Sequence, residues 1–142
     1  MRKRSLLIGL IVVAGLTIIG VNLRLVTVVP ADVATAADKW LDHNYSVEVM
    51  RGGDSLGGLG IRDVKHDVDQ KLKLNDVELE CAIYVYDGDK RGAIIYFADT
   101  SDAIAYRAYC RKHKTSTEIV KMDWDMRAVY CGDKDIYYSL LR

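Results

Sequence analysis

The pattern of apolar and polar positions divides the chain sharply near residue 30. Residues 6–21 form a run of sixteen positions without a charge, and Arg2, Lys3 and Arg4 precede it. Backbone groups inside a bilayer must satisfy one another, so such a run is expected to be helical there. At 1.5 Å per residue it would extend roughly 24 Å, slightly less than a hydrocarbon core of about 30 Å. Arg24 follows, placed so that it can reach the far interface with its stem in lipid. The three N-terminal cations predict that the start of the chain stays in the cytoplasm and that the remainder lies outside. The apolar run exceeds a usual signal-peptide core, so an uncleaved single-pass anchor is the preferred reading. Cleavage near Ala36, in the small-x-small sequence Ala34-Thr35-Ala36, with release of a secreted domain, is the alternative.

After Pro30 the periodicities are those of a folded domain. Pro30 suits the first position of a helix, and Val33, Ala37, Trp40 and Leu41 recur at helical spacing, predicting a helix over 31–43. Tyr45, Val47 and Val49 alternate with polar residues, the mark of a strand over 45–50. Residues 51–61 hold five glycines and are expected to form a loop. Residues 62–70 are ambiguous: Val64, Val68 and Leu72 fit a helix face, but three aspartates dilute the signal.

Alternation is clearer beyond residue 71. Leu72 and Leu74 alternate up to Asn75-Asp76, which reads as a two-residue hairpin turn, and Val77, Leu79, Cys81, Ile83 and Val85 alternate after it. Residues 87–92 make the next turn and 93–98 the next strand. Asp99, Thr100 or Ser101 can cap a helix with an apolar stripe of Ile104, Ala105, Ala108 and Tyr109. Residues 118–122 and 127–131 make a further hairpin around Asp123-Trp124-Asp125. Asp133 can cap a last helix that places Ile136, Tyr137, Leu140 and Leu141 on one face. The expected fold is therefore α+β: a transmembrane helix within 1–29, then a small extracytoplasmic domain over 31–142. That domain has an antiparallel sheet of about five or six strands, packed on one face by about three helices.

Charge alters this picture in one respect. The chain as a whole is neutral, but all 20 acidic residues lie after residue 30 against 16 of the 20 basic ones, so the domain carries a net charge of −4. An acidic domain is poorly suited to nucleic acid, which usually needs a basic face.

The candidate chemistry is sparse. Gly53-Asp54-Ser55-Leu56 resembles the signature of the GDSL esterase and lipase family, and Asp63-Val64-Lys65-His66 resembles that family's Asp-x-x-His pair. The resemblance implies Ser55 as nucleophile, His66 as base and Asp63 as the acid that orients it. It covers two four-residue stretches. In the family the Asp-x-x-His block lies near the C-terminal end of a larger α/β domain, whereas here His66 follows Ser55 by eleven positions. The family's Gly-x-Asn-Asp block is absent. The glycine segment lacks the lysine of a phosphate loop, since Leu59 stands in its place. Asp87-Gly88-Asp89 imitates the start of a calcium loop, but Arg91 occupies a ligand position and Ala98 replaces the closing glutamate. His43, His66 and His113 have no zinc spacing with the cysteines. No cofactor, metal or catalytic residue is therefore assigned.

Three cysteines, Cys81, Cys110 and Cys131, allow one bridge, with Cys110–Cys131 preferred in an oxidising compartment. Nine tyrosines are many for this length. Tyr84 and Tyr86 share one strand face with Tyr96 expected opposite them, either as a binding patch or as cross-strand packing. The sequence thus points to a membrane-anchored module that binds or organises a protein partner at the cell surface, with a small serine hydrolase as the alternative.

Overall fold

In the computed structural model the described residues are 29–30, 32–51, 55–56, 59–74 and 77–141. Among them no helix is long and apolar enough to cross a membrane. The anchor expected over residues 6–21 lies outside the described residues.

The chain enters through Val29, which is fully buried. Asp32 caps the first helix, α1 (Val33–Asp42), by accepting from the Ala34 N–H. The helix begins two residues later than expected, and Pro30 is not part of it: the Pro30 carbonyl accepts a 3.0 Å hydrogen bond from the Tyr96 hydroxyl. Ala36 and Trp40 are its buried residues, while Leu41, expected on that face, is exposed. Asn44 takes a positive φ of 63° and turns the chain into β1 (Ser46–Arg51). Within the glycine-rich segment, β2 (Ser55–Leu56) and β3 (Leu59–Gly60) pair as a miniature antiparallel ladder.

The ambiguous segment is a helix, α2 (Ile61–Leu72). Val64 and Val68 are its buried residues. Its aspartates have local tasks that hydropathy does not register. Asp63 accepts from the Gly60 N–H at 2.8 Å and closes the first turn. Asp67 pairs with Lys71 at 2.7 Å. Asp69 pairs with Lys65 at 2.9 Å and accepts from the Val77 N–H at 2.8 Å. The backbone hydrogen bond from Val77, followed by that from Lys65, holds the Asp69 carboxyl below its usual pKa.

This helix overturns the expected hairpin around Asn75-Asp76. Leu72 is its last residue, and Lys73 ends it in the left-handed conformation with φ 56°, so the alternation of Leu72 and Leu74 belongs to a helix end and not to a strand. Asn75 and Asp76 lie outside the described residues. The sheet accordingly has five strands.

Strands β4 (Leu79–Asp87) and β5 (Lys90–Phe97) form the longest ladder, closed by a turn in which Gly88 has φ 65°. Helix α3 (Thr100–His113) is capped by Asp99, one of the three candidates, through the Ser101 N–H. Its buried face is Ala103, Tyr106 and Cys110. Ile104 and Ala105, expected on the apolar stripe, are exposed. The stripe is displaced because Tyr106 supplies the main contact, packing against Phe97 with ring centroids 5.4 Å apart. Strands β6 (Glu118–Met122) and β7 (Ala128–Asp133) make the last hairpin. Asp133 then caps α4 (Lys134–Ser139), accepting from the Asp135 and Ile136 N–H groups.

All strand pairs are antiparallel, in the order β1-β4-β5-β7-β6. The helices cover both faces of this sheet, not one. On the first face α1 and α4 pack over Ile83, Val85, Ile94, Tyr96, Ala128 and Tyr130. On the second, α2 and α3 pack over Met50, Ala82, Ile95, Phe97, Val120 and Val129. Alternate residues of each inner strand therefore enter different cores. Tyr96 lies on the first face, away from Tyr84 on the second.

The first core is clamped by aromatic rings. Tyr130 lies 6.2 Å from Trp40 and 5.3 Å from Tyr137, centroid to centroid. The Trp40 indole N–H donates to the Ile136 carbonyl at 3.1 Å, linking α1 to α4. The Tyr130 hydroxyl donates to the Asp133 carbonyl at 2.7 Å. Its ring lies across Gly92, where an added Cβ would collide with it. Gly132, the register partner of Gly92, has φ 154° and would place a Cβ 2.6 Å from the Arg91 carbonyl oxygen.

Gly132→Ala is expected to cost at least about 2 kcal/mol, since a backbone clash in a packed ladder cannot be relieved by a rotamer change. Gly88→Ala, whose Cβ meets nothing within 4 Å, is expected to cost only about 1 kcal/mol for its positive φ. The midpoints of urea unfolding of the two variants measure the difference.

Candidate functional site

The second face of the sheet is not wholly covered. The ends of α2 and α3 nearest Lys71 and Cys110 leave a cleft of about 260 Å³ over β4, β5 and β7. Its floor is formed by Gly92, Ala93 and Gly132, where β5 and β7 present little side chain. Tyr84 and Tyr86 project into it from β4, and Tyr106 closes it from α3. Strand alternation explains the first pair: residues two apart on β4 share a face. The two tyrosines singled out by sequence are thus partly buried side chains that line a cleft, with only Tyr84 packed against the adjoining core.

The charged groups at the rim are each engaged within the domain. Lys71 donates to Asp67, and its Nζ lies 6.0 Å from the ring centroids of both Tyr106 and Tyr109. Burial pulls the Lys71 pKa down, but the Asp67 hydrogen bond and charge outweigh it, leaving the ammonium more firmly protonated than usual. The Arg91 guanidinium sits 5.5 Å from the Tyr86 ring centroid, within cation–π range. Glu118 accepts from the Thr115 N–H at 2.8 Å. Burial, then the charge of Asp67, pushes the Tyr84 phenol up to about 12. Burial and Glu48 raise that of Tyr86. All these phenols are neutral at physiological pH and present O–H groups that both donate and accept.

Beside the cleft, Cys110 of α3 and Cys131 of β7 are neighbours, joined by a thiol–thiol hydrogen bond. The expected bridge is not formed: all three cysteines are free. Cys110 is not part of the expected stripe of Ile104, Ala105, Ala108 and Tyr109; the displaced stripe turns it into the core opposite Cys131. The hydrogen bond from Cys131 lowers the Cys110 pKa against the effect of burial, with further help from Tyr106 and Lys71. The same contact raises that of Cys131. Burial pushes Cys81, on the opposite face, up to about 11.

The residues of the esterase-like motif are placed differently. Gly53 and Asp54 lie outside the described residues, as does the side chain of Ser55. The Asp63 carboxylate is engaged with the Gly60 N–H at the start of α2. His66, one turn further along α2, is exposed. His43 stacks on Tyr45 at 5.7 Å. His113 stacks on Tyr109 at 4.1 Å, with its Nδ1 2.9 Å from the Tyr109 carbonyl oxygen. Asp87 and Asp89, the calcium-like letters, flank the β4–β5 turn, where Asp87 pairs in register with Lys90. Among the described residues no group of three or more His, Cys, Asp or Glu side chains is placed to hold a metal ion.

Sequence reasoning missed Asp67, Lys71, Arg91 and Tyr106 as cleft residues. The Asp67–Lys71 pair has the i,i+4 spacing of a helical ion pair, a signal that becomes readable once α2 is recognised as a helix. No protein-family model, curated protein or solved structure matches the chain.

With rising pH, Cys110 is expected to be the first of the three thiols to ionise, because the hydrogen bond from Cys131 favours its thiolate, whereas the same contact and burial oppose that of Cys131 and burial opposes that of Cys81. Thiolate ultraviolet absorbance followed across a pH titration checks this. Cys110→Ser is expected to remove the earliest step, and Cys81→Ser to leave it in place.

Proposed function

We propose that this chain is a membrane-tethered, extracytoplasmic binding module without catalysis, and that its ligand seat is the tyrosine-lined cleft on the α2/α3 face. Residues 6–21 serve as the tether, the N-terminus stays in the cytoplasm, and the ligand is a protein partner at the cell surface. The observation that carries the reading is the cleft itself. Three phenols, the Asp67–Lys71 ion pair and the Arg91–Tyr86 cation–π contact converge on a floor of small residues. Tyrosine offers rigid apolar area with a polar tip, the combination enriched where proteins recognise proteins.

Size favours a partner's side chains over a free cofactor. Small-molecule pockets commonly enclose about 300–1,000 Å³, and this cleft of about 260 Å³ falls below them. Its rim reaches Glu118, the first residue of β6, which is an edge strand of the sheet. An extended segment lying along that edge can place one side chain between the tyrosine rings. The lining combines two cations and two carboxylates, Lys71, Arg91, Asp67 and Glu118, which is unlike a phosphate-tracking surface and consistent with the net charge of −4 carried by the domain. The cleft also lacks the pairing that nucleophilic catalysis needs. Its one thiol, Cys131, has its pKa raised by the hydrogen bond to Cys110 and by burial, and no histidine lines the cleft.

Selection of random heptapeptides by display against the full chain in lipid nanodiscs tests the seat. The expected outcome is an enriched sequence whose affinity falls by about tenfold or more on Tyr86→Ala or Tyr84→Ala, the scale of an interface anchor. Peptides indifferent to both substitutions, or no enrichment, would overturn the assignment of the cleft. A serine-reactive phosphonate probe tests the absence of catalysis. No label at Ser55 is expected, and labelling that disappears in Ser55→Ala would establish a hydrolase instead.

A further inference from the structure

The end of the domain opposite the tyrosine cleft carries a second, differently built surface. The β6–β7 hairpin ends in a turn whose residues Trp124 and Met126 are 68% and 47% exposed. The turn is rigid at its base. Asp123 is buried, and its carboxylate accepts from the Arg127 and Ala128 N–H groups at 2.8 and 2.9 Å. The Asp123 N–H donates to the Ala128 carbonyl at 3.0 Å, and that of Met126 to the Asp123 carbonyl at 3.2 Å. Two large apolar side chains are therefore held out in water by a fixed turn. Beside them, Arg107, Arg111 and Lys121 line one depression together with Trp124 and Met126. The one acid lining that depression, Asp123, is directed into the turn, while Asp125 stands exposed beside Trp124.

The entry of the chain into the domain lies at this same end. Tyr96 donates to the Pro30 carbonyl and is in register with Ala128, the first residue of β7 after the turn. Tyr96 thus joins the point where the N-terminal segment arrives to the base of the Trp124 turn. The cleft floor at Gly92 and Gly132 is four residues away along the same ladder, roughly 13 Å at 3.3 Å per residue. Pro30, among the first described residues, and the Trp124 turn belong to one end of the sheet, and the cleft to the other.

We infer that the Trp124 turn docks on the anionic phospholipid surface of the membrane in which the N-terminal run is anchored. This rests on the tether proposed above. Trp124 and Met126 enter the interfacial layer, where an indole is favoured because its ring is apolar and its N–H can reach polar headgroups. Arg107, Arg111 and Lys121 meet lipid phosphates, and their stems cover the apolar wall of the depression. Two attachments at one end, the anchor and the turn, fix the orientation of the domain, and the tyrosine cleft then faces away from the bilayer.

The chain has two tryptophans, and Trp40 is fully buried, so fluorescence reads Trp124 against a constant background. The full chain is reconstituted into vesicles of phosphatidylcholine alone or mixed with phosphatidylglycerol, with and without brominated acyl chains. Trp124 emission is expected to shift to the blue and to be quenched by the brominated lipid, more strongly with phosphatidylglycerol. Both effects are expected to vanish in Trp124→Phe, and the lipid dependence to weaken in Arg107→Gln/Arg111→Gln. Flotation of the same vesicles separates the two readings. A chain that floats while Trp124 stays unquenched and water-exposed keeps the tether and overturns the docking. A chain that does not float overturns both.

Discussion

The five-stranded sheet is buried on both faces, and most of the architecture is a response to that. An antiparallel sheet with one wet face needs only one layer of helices, whereas the inner strands here send consecutive residues into two separate cores. Strand β5 shows the demand most clearly: Ile94 and Tyr96 enter one core while Ile95 and Phe97 enter the other. Two helices must then be recruited to each side. On the α1/α4 side, Tyr130 joins the layers through Trp40 and Tyr137, and the Trp40–Ile136 hydrogen bond ties the two helices together. A buried aromatic of this kind contributes on the order of 1.5–3 kcal/mol by burial alone, and its ring fits only because position 92 has no side chain.

That two-sided burial also explains what was legible in the sequence. Elements whose signal is local were read well. The Asp99 and Asp133 caps, the β4–β5 turn at Gly88 and the face formed by Ile136, Tyr137 and Leu140 depend on residues a few positions apart. The layer count was not readable, because β5 reads as a nearly continuous apolar run, which is consistent with one buried face or two. The error at 71–76 has a related origin. Leu72 and Leu74 alternate as in a strand, yet the segment is decided by Asp69, whose carboxylate binds Val77 across the helix end, a contact between positions eight apart. Three aspartates in α2 looked like dilution of a helical pattern and are in fact the groups that start it, brace it and end it.

The cleft was half legible for the same reason. Tyr84 and Tyr86 could be placed on one face by alternation, but their partners come from α2 and α3. Ile104 is the larger aliphatic signal on α3, but Tyr106 is the residue that faces the sheet. Once Tyr106 faces the sheet, Cys110, four residues on, must do so too, and it meets Cys131 from β7. This orientation of α3 therefore creates both the thiol pair and the third tyrosine of the cleft. It leaves Ile104 exposed and turns Arg107 and Arg111 toward the β6 side, where they line the depression under Trp124.

The position of α3 thus divides the second face of the domain into two surfaces of different chemistry. Toward the Gly88 turn, neutral phenols and internally paired charges converge over a floor of small residues, a surface on which apolar contact and directional hydrogen bonds dominate. Toward the Asp123 turn, exposed apolar side chains stand beside arginines and a lysine. A charged group gains most where its counter-charge is not already supplied from within the protein. Lys71 at the cleft end has Asp67. The depression at the other end sets three cations against one carboxylate, and that carboxylate is occupied by two backbone N–H groups of its own turn. The two arginines of α3 therefore gather beside Trp124 at the end where Pro30 meets Tyr96, and that placement follows from the packing of a single helix.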